Sequence, residues 1–108
     1  MKNHRIAWPL AVAAALALAS GAASAAGPEE ALNKAGCMAC HSKDKKLVGP
    51  SFKDIAAKYK GKDVVAQLAD KVRKGGSGVF GPIPMSPNGP DKIDDADLKA
   101  AIEFILKS

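Results

Sequence analysis

The chain has 108 residues, enough for one small domain, and only 5% of them are aromatic. Its 16 Lys and Arg residues exceed its 11 acidic residues, which gives a net charge of +5. This mild excess fits neither the strong basic stripe of a nucleic-acid-binding protein nor a protein with an acidic tail. A domain of this size has a thin core and often needs a metal, a disulfide or a cofactor to stabilise it.

Residues 1–25 have the order of a secretory signal peptide. A basic start is followed by a nearly continuous apolar run over residues 6–19, and the small residues Ala23-Ser24-Ala25 then offer a cleavage site. A membrane anchor is the alternative, but spanning a bilayer takes about 20 apolar residues, and this run is shorter and interrupted by Pro9. We therefore predict cleavage after Ala25, export to the periplasm, and a mature domain of residues 26–108 that has a charge of about +3 and no membrane span.

The first half of this domain predicts two helices. Apolar residues recur at helical spacing and no run alternates as a strand would. The first helix is predicted over residues 28–35, because Pro28 and two carboxylates suit its positive end and Gly36 follows it. Ser51 is the predicted N-cap of a short helix over residues 52–60.

Two further helices flank a long loop in the second half. The third helix is predicted to begin at Lys62 or Asp63 and to carry one apolar stripe. Residues 75–90 are rich in Gly and Pro and predict irregular chain, and so long a loop in a small domain usually has a function. The last helix takes Asp94 or Asp95 as its N-cap. The sequence thus predicts an all-α domain of about four helices wrapped by two loops.

The segment Cys37-Met38-Ala39-Cys40-His41 is a c-type haem attachment sequence. Two thiols three positions apart can form thioether bonds to the two vinyl groups of one porphyrin, and the adjacent His41 can bind the iron from below. Covalent attachment suits a small exported domain, because it retains the cofactor while the helices fluctuate. We therefore predict one haem c, bound covalently through Cys37 and Cys40, with its iron held by His41.

Three other uses of this motif fit the sequence less well. A closed structural zinc site needs four ligands, whereas residues 26–108 contain only two Cys and one His. A thioredoxin-like Cys-x-x-Cys couple would follow a strand in a βαβ unit, and no strand is predicted. A plain disulfide would leave His41 without a role. Haem attachment explains all three side chains.

Elimination predicts that Met85 is the second axial ligand. His41 is the only histidine of the mature domain, which rules out a bis-histidine pair. Met38 lies between the two cysteines and cannot reach the opposite haem face, whereas the loop carrying Met85 is long enough to wrap over the ring. Met and His together are an axial pair of electron-transfer cytochromes. The alternative is a flexible core-filling Met, which the flanking Pro84 and Pro87 make a poorer explanation.

These residues resemble the short soluble bacterial class I cytochromes c, which include donors to nitrite reductases and terminal oxidases. The resemblance covers essentially the whole mature chain. Besides the haem attachment sequence it includes Val48-Gly49-Pro50, residues 53–59 and, most specifically, residues 81–88. It implies the class I cytochrome c fold around one covalently attached haem.

The resemblance also implies roles for two further residues. The carbonyl of Pro50 would accept the Nδ1–H of His41 and so orient the imidazole. The side-chain amide of Asn88 would donate to the Met85 sulfur, although Pro50 and Asn88 are also common turn residues. The family usually has Trp, which donates to a haem propionate, where this chain has Phe80. The propionate would then rely on Lys71 or Arg73, backbone amides or water.

The expected function is a periplasmic one-electron carrier rather than an enzyme, because protein ligands would fill both axial positions of the iron. Its partners would be redox proteins: an upstream cytochrome or quinol-oxidising complex and a downstream oxidase or reductase. A five-coordinate haem protein that binds gas or peroxide and a thiol–disulfide oxidoreductase are the alternatives. We expect a monomer. The basic residues expected near the haem edge are Lys43, Lys45, Lys46, Lys71, Arg73 and Lys74.

Overall fold

The computed structural model describes residues 27–108, so the predicted signal peptide lies outside the described residues. This part of the chain is helical, and its only extended pairing is an isolated antiparallel bridge between Gly76 and Met85. The helices are α1 (Pro28–Lys34), α2 (Phe52–Lys58), α3 (Val65–Lys74) and α4 (Asp95–Leu106), with a 3-10 turn at Cys37–Ala39. The predicted all-α class and the number of helices are confirmed.

Polar side chains begin α2 and α4 as the sequence predicts. The Ser51 hydroxyl accepts a hydrogen bond from the backbone N–H of Asp54 at 3.0 Å. A carboxylate oxygen of Asp94 accepts from the N–H of Asp97 at 2.8 Å. Each contact satisfies an N–H that has no partner within its helix. Ser51 is also almost completely buried, so this cap is held inside the domain.

The connection between α2 and α3 differs from the prediction, because α2 ends at Lys58 and α3 begins only at Val65. The N–H of Lys62 donates to the carbonyl of Tyr59 at 3.0 Å, and Gly61 has the left-handed φ of 74°. This turn makes Lys62 part of the connection instead of the helix. Val64 then buries its side chain as the residue before α3.

Helix α4 packs against each of α1, α2 and α3 and so organises the core. Its predicted apolar face is buried at Leu98, Ala101 and Ile102. The stripe on α3 packs against the same core but stays half-buried, and two of its residues, Leu68 and Val72, also line a small cavity. Among residues 27–108, no helix combines the length and the apolar character needed to cross a bilayer.

Candidate haem site

The 3-10 turn after α1 places both cysteines and His41 within five residues. Gly36 precedes the turn with a left-handed φ of 81°, a conformation that costs glycine little. The N–H groups of Cys40 and His41 both donate to the carbonyl of Cys37, at 3.2 and 3.0 Å. Cys37 is half-buried and Cys40 is exposed, and no disulfide joins them. The two thiols are therefore available for a shared partner.

The imidazole of His41 is held from two sides. Its Nδ1 lies 2.8 Å from the carbonyl oxygen of Pro50, as the resemblance implied. A carbonyl can only accept, so Nδ1 carries the proton and Nε2 keeps a lone pair for a metal. The ring stacks on the buried Phe52, with centroids 5.7 Å apart and planes inclined by 25°. Hydrogen bond and stacking together fix the ring's tautomer and orientation.

Gly49 makes this arrangement possible. A Cβ at Gly49 would lie 2.6 Å from Cε1 and 2.9 Å from Nδ1 of His41, so the ring packs directly against glycine backbone. The N–H of Gly49 also donates to the carbonyl of Cys40 at 2.8 Å. The glycine backbone therefore sets the distance between the haem attachment turn and the loop that carries Pro50.

Replacing Gly49 with Ala should force the His41 imidazole away from Pro50. Overpacking of this kind costs about 1–3 kcal/mol, and in so small a domain each kcal/mol lowers the melting temperature by roughly 4–8 °C. Thermal unfolding measures this loss, and the NMR resonance of the His41 Nδ1 proton reports the hydrogen bond. Gly27→Ala is the matched control, because a Cβ there meets nothing within 4 Å. Equal stability and an unchanged proton resonance in both variants would contradict the proposed packing role.

Met85 is fastened through its backbone to the end of α3. Its N–H and carbonyl exchange two hydrogen bonds with Gly76, both of 2.9 Å. Gly75 has a left-handed φ of 70°, and a Cβ there would collide with the Met85 carbonyl and lie 2.9 Å from the Pro87 nitrogen. The loop that carries Met85 therefore packs directly against the backbone at the end of α3, with no room for a side chain at Gly75. The sequence pattern predicted a role for Met85, but it did not predict that Gly75 must lack a side chain for the loop to pack there.

Asn88 has a different contact from the one expected. Its side-chain amide donates to the carbonyl of Ser86 at 2.9 Å instead of to the Met85 sulfur. Its backbone N–H donates to the carbonyl of Val72 at 2.9 Å, which caps one of the last carbonyls of α3. In this structure Asn88 thus shapes and anchors the loop that carries Met85.

These elements enclose a cavity of about 510 Å³, within the usual range for small-molecule and cofactor sites. It is lined by both cysteines, His41, Pro50, Met85 and Asn88, so all six predicted site residues border one space. A smaller, apolar cavity of about 90 Å³ adjoins Cys37, His41 and Met85. Two thiols, one imidazole with a free Nε2 and one thioether form a donor set that fits a covalently attached haem.

The charged groups around the cavity are positive. Lys46, Lys71 and Lys92 border it. Burial raises the pKa of the Cys37 thiol, and the nearby Cys40 adds to this shift although Lys92 opposes it. The sign of the lining suits a cofactor that carries carboxylates.

Phe80 borders the cavity, whereas Arg73 does not. Phe80 lies in the cavity wall and is 40% exposed, with the Lys58 ammonium 5.5 Å from its ring centroid. Arg73 does not border the cavity, because its guanidinium is bound to Asn88, Ile93 and Asp95. The Arg73 donors are therefore directed to other acceptors in this structure, whereas Lys71 borders the cavity.

Comparison with known proteins agrees with this site. The Cytochrome c family model matches residues 25–108. Cytochrome c2 of Rubrivivax gelatinosus is 50% identical over 82 residues, which covers 75% of this chain and 96% of that protein. Cytochrome c-552 of Nitrosomonas europaea is 46% identical over 103 residues, covering 94% of this chain and 96% of its own length.

Solved structures show the same fold. The crystal structure of wild-type Nitrosomonas europaea cytochrome c552 superposes with a TM-score of 0.66, covering 73% of this chain and 96% of that one at 46% identity. The Class 1 cytochrome MtoD from Sideroxydans lithotrophicus gives 0.65 at 28% identity, covering 75% of this chain and 91% of that chain. The chain therefore belongs to the cytochrome c family, as a small bacterial class I c-type cytochrome that carries electrons on one covalently attached haem c.

Proposed function

We propose that this protein is a periplasmic one-electron carrier in which His41 and Met85 are the two axial ligands of the haem iron. One observation carries the proposal: both side chains border the cavity that also contains Cys37 and Cys40. The hydrogen bond from His41 Nδ1–H to the Pro50 carbonyl leaves Nε2 as the nitrogen that binds iron. The bound haem would supply the change between Fe(II) and Fe(III).

The protein's own contribution is to hold both ligands still. The His41 ring is fixed by Pro50, Phe52 and the Gly49 backbone, and the Met85 backbone is fixed by Gly76. Ligands that keep one position in both oxidation states minimise the rearrangement that accompanies electron transfer. With both axial positions occupied by protein, the iron has no coordination site for a substrate, which supports a carrier instead of an enzyme.

Visible spectra of the oxidised and reduced protein, with and without carbon monoxide, test this function. We expect reversible reduction and no carbon monoxide binding at neutral pH, because Met85 occupies the position that the gas would take. Binding of carbon monoxide to the reduced protein would indicate the five-coordinate alternative. A thiol titration of the denatured protein distinguishes the other one, since thioether-linked cysteines do not react.

We propose that the mature protein begins at Ala26 after export. The support is the order of charge, apolar run and small residues in the first 25 positions. The intact mass of protein isolated from the periplasm should therefore equal that of residues 26–108 plus one haem. A mass that retains Met1 to Ala25 would instead indicate an anchored protein.

Lysines beside the cavity support an acidic surface on the redox partner. Of the basic residues expected there, Lys43 pairs with Glu29 at 2.8 Å and Lys74 with Asp70 at 3.0 Å. The Glu29 hydrogen bond raises the pKa of the exposed Lys43. Lys46 and Lys71 border the cavity, and within residues 27–108 neither forms such a pair. Exposed apolar side chains lie around the same mouth: Val48, Val79, Phe80 and Ile83.

The rate of association with an acidic redox partner should fall as ionic strength rises. Salt screens surface charges, and steering by a charged cleft can change on-rates by about tenfold or more. Stopped-flow electron transfer measures the rate, and Lys46→Gln should flatten its salt dependence more than Lys99→Gln, which lies on α4 outside the cavity lining. A rate indifferent to salt would leave these lysines as ordinary solvated residues.

A further inference from the structure

Arg73 makes a three-way contact near the end of α3. Its Nη1 donates to the carbonyl of Ile93 at 2.7 Å and to that of Asn88 at 3.3 Å. Its Nη2 donates to a carboxylate oxygen of Asp95 at 2.7 Å. The Arg73 side chain is only 20% exposed, while that of Asp95 is 94% exposed. The two carbonyl contacts are therefore the partly buried ones, and the ion pair adds little by itself.

These contacts lie just beyond Met85 in the chain. The bridge to Gly76 fixes the Met85 backbone itself. Three residues later, Asn88 is fixed by two hydrogen bonds: its N–H donates to Val72, and its carbonyl accepts from Arg73. Three residues of chain span at most about 11 Å, so an anchor at Asn88 limits how far Met85 can move.

We propose that Arg73 is a positioning residue for Met85. Its guanidinium fixes the segment that follows Met85 to the start of α4, and this restraint keeps the thioether in place. The inference rests on the proposed ligation of iron by Met85. Regions held by few contacts open more readily, and loss of the Arg73 contacts should therefore increase the fraction of ferric protein whose sulfur has left the iron.

The geometry of the guanidinium separates this role from a simple effect of charge. Arg presents several N–H groups in a rigid planar fork, which serves three acceptors at once. A Lys ammonium keeps the charge but is a compact group that cannot reproduce the fork. Arg73→Lys should therefore loosen the loop nearly as much as Arg73→Gln, although only Arg73→Gln changes the net charge of the domain.

A thioether sulfur bound to ferric haem iron gives a weak charge-transfer band in the far red. The test follows this band in the ferric holoprotein as pH is raised from neutral. In Arg73→Lys and Arg73→Gln, sulfur loss should become about tenfold more favourable, which moves the midpoint down by about one pH unit. Lys74→Gln is the matched control, because its exposed pair with Asp70 lies one residue away. Thermal unfolding confirms that each variant is folded. If Arg73→Gln does not fold, the comparison of Arg73→Lys with Lys74→Gln still tests the proposal.

The outcomes separate a positioning role of Arg73 from an effect of its charge alone. Midpoints lowered in both Arg73 variants but not in Lys74→Gln support the positioning role. Midpoints equal to that of Lys74→Gln, or a shift confined to Arg73→Gln, would overturn it, the second result because charge alone would then explain the effect. A wild-type protein that lacks the far-red band would overturn the proposed Met85 ligation itself.

Discussion

Replacing Met85 with Ala should abolish the far-red charge-transfer band of the ferric protein and lower its reduction potential. Thioether sulfur favours Fe(II) over Fe(III), so its loss stabilises the oxidised state. Because axial ligands tune haem potentials over a range of about 0.8 V, we expect a decrease on the order of 100 mV or more. Spectroelectrochemistry measures both the band and the potential.

Met85→His tests the same ligand assignment while still supplying a side chain that can bind the second axial position of the iron. It should give a low-spin haem that lacks the band and has a clearly lower potential, because two imidazoles would then bind the iron. Met38→Leu is the control, because Met38 lies between the thioether cysteines and should leave band and potential unchanged. Loss of the band in Met38→Leu, or its survival in Met85→Ala with an unaltered potential, would show the ligand assignment to be wrong.

Replacing Cys37 or Cys40 with Ala should sharply reduce the yield of holoprotein. On α3, Leu68 and Val72 line the smaller cavity and are only partly buried where they pack against the protein core. A small domain has little stability to spare. A loss of only about 2 kcal/mol lowers the melting temperature of a domain this size by roughly 10 °C.

Holoprotein yield is measured by the haem absorbance per milligram of purified protein, and stability by thermal unfolding. Met38→Leu again serves as the control, because it alters the residue between the cysteines while conserving volume. Variants lacking both cysteines that fold cooperatively at the wild-type temperature without haem would contradict a structural role for the attachment.

Local signals predicted much of this fold. The Ser51 and Asp94 caps could be predicted because a capping side chain binds a backbone group only a few residues away. The start of α3 was misplaced because Lys62 and Asp63 suit a helix start locally, whereas the turn at Gly61 places them before it. Such a choice depends on packing that sequence spacing does not describe.

The site divides in the same way. The haem attachment motif is recognisable because its cysteines and histidine are close together in the sequence. Met85 could be predicted as a ligand by elimination, because few other side chains of the domain can bind iron. Gly49 and Gly75 were missed as positioning residues because the need for a missing Cβ arises only when a distant segment packs there. Arg73 was assigned to the cofactor and partner surface from its charge, but its three acceptors come from beyond Met85 and are neighbours only in the fold.

The bridge between Gly76 and Met85 also has an evolutionary consequence. It closes the loop of residues 77–84, whose tip is the turn at Val79 and Phe80, both of them exposed. Since the cost of closing a loop changes only slowly with its length, the tip can accept substitutions or extra residues while Met85 keeps its place. A lineage could therefore acquire a new partner by varying this tip and still retain Met85, the axial ligand that we propose.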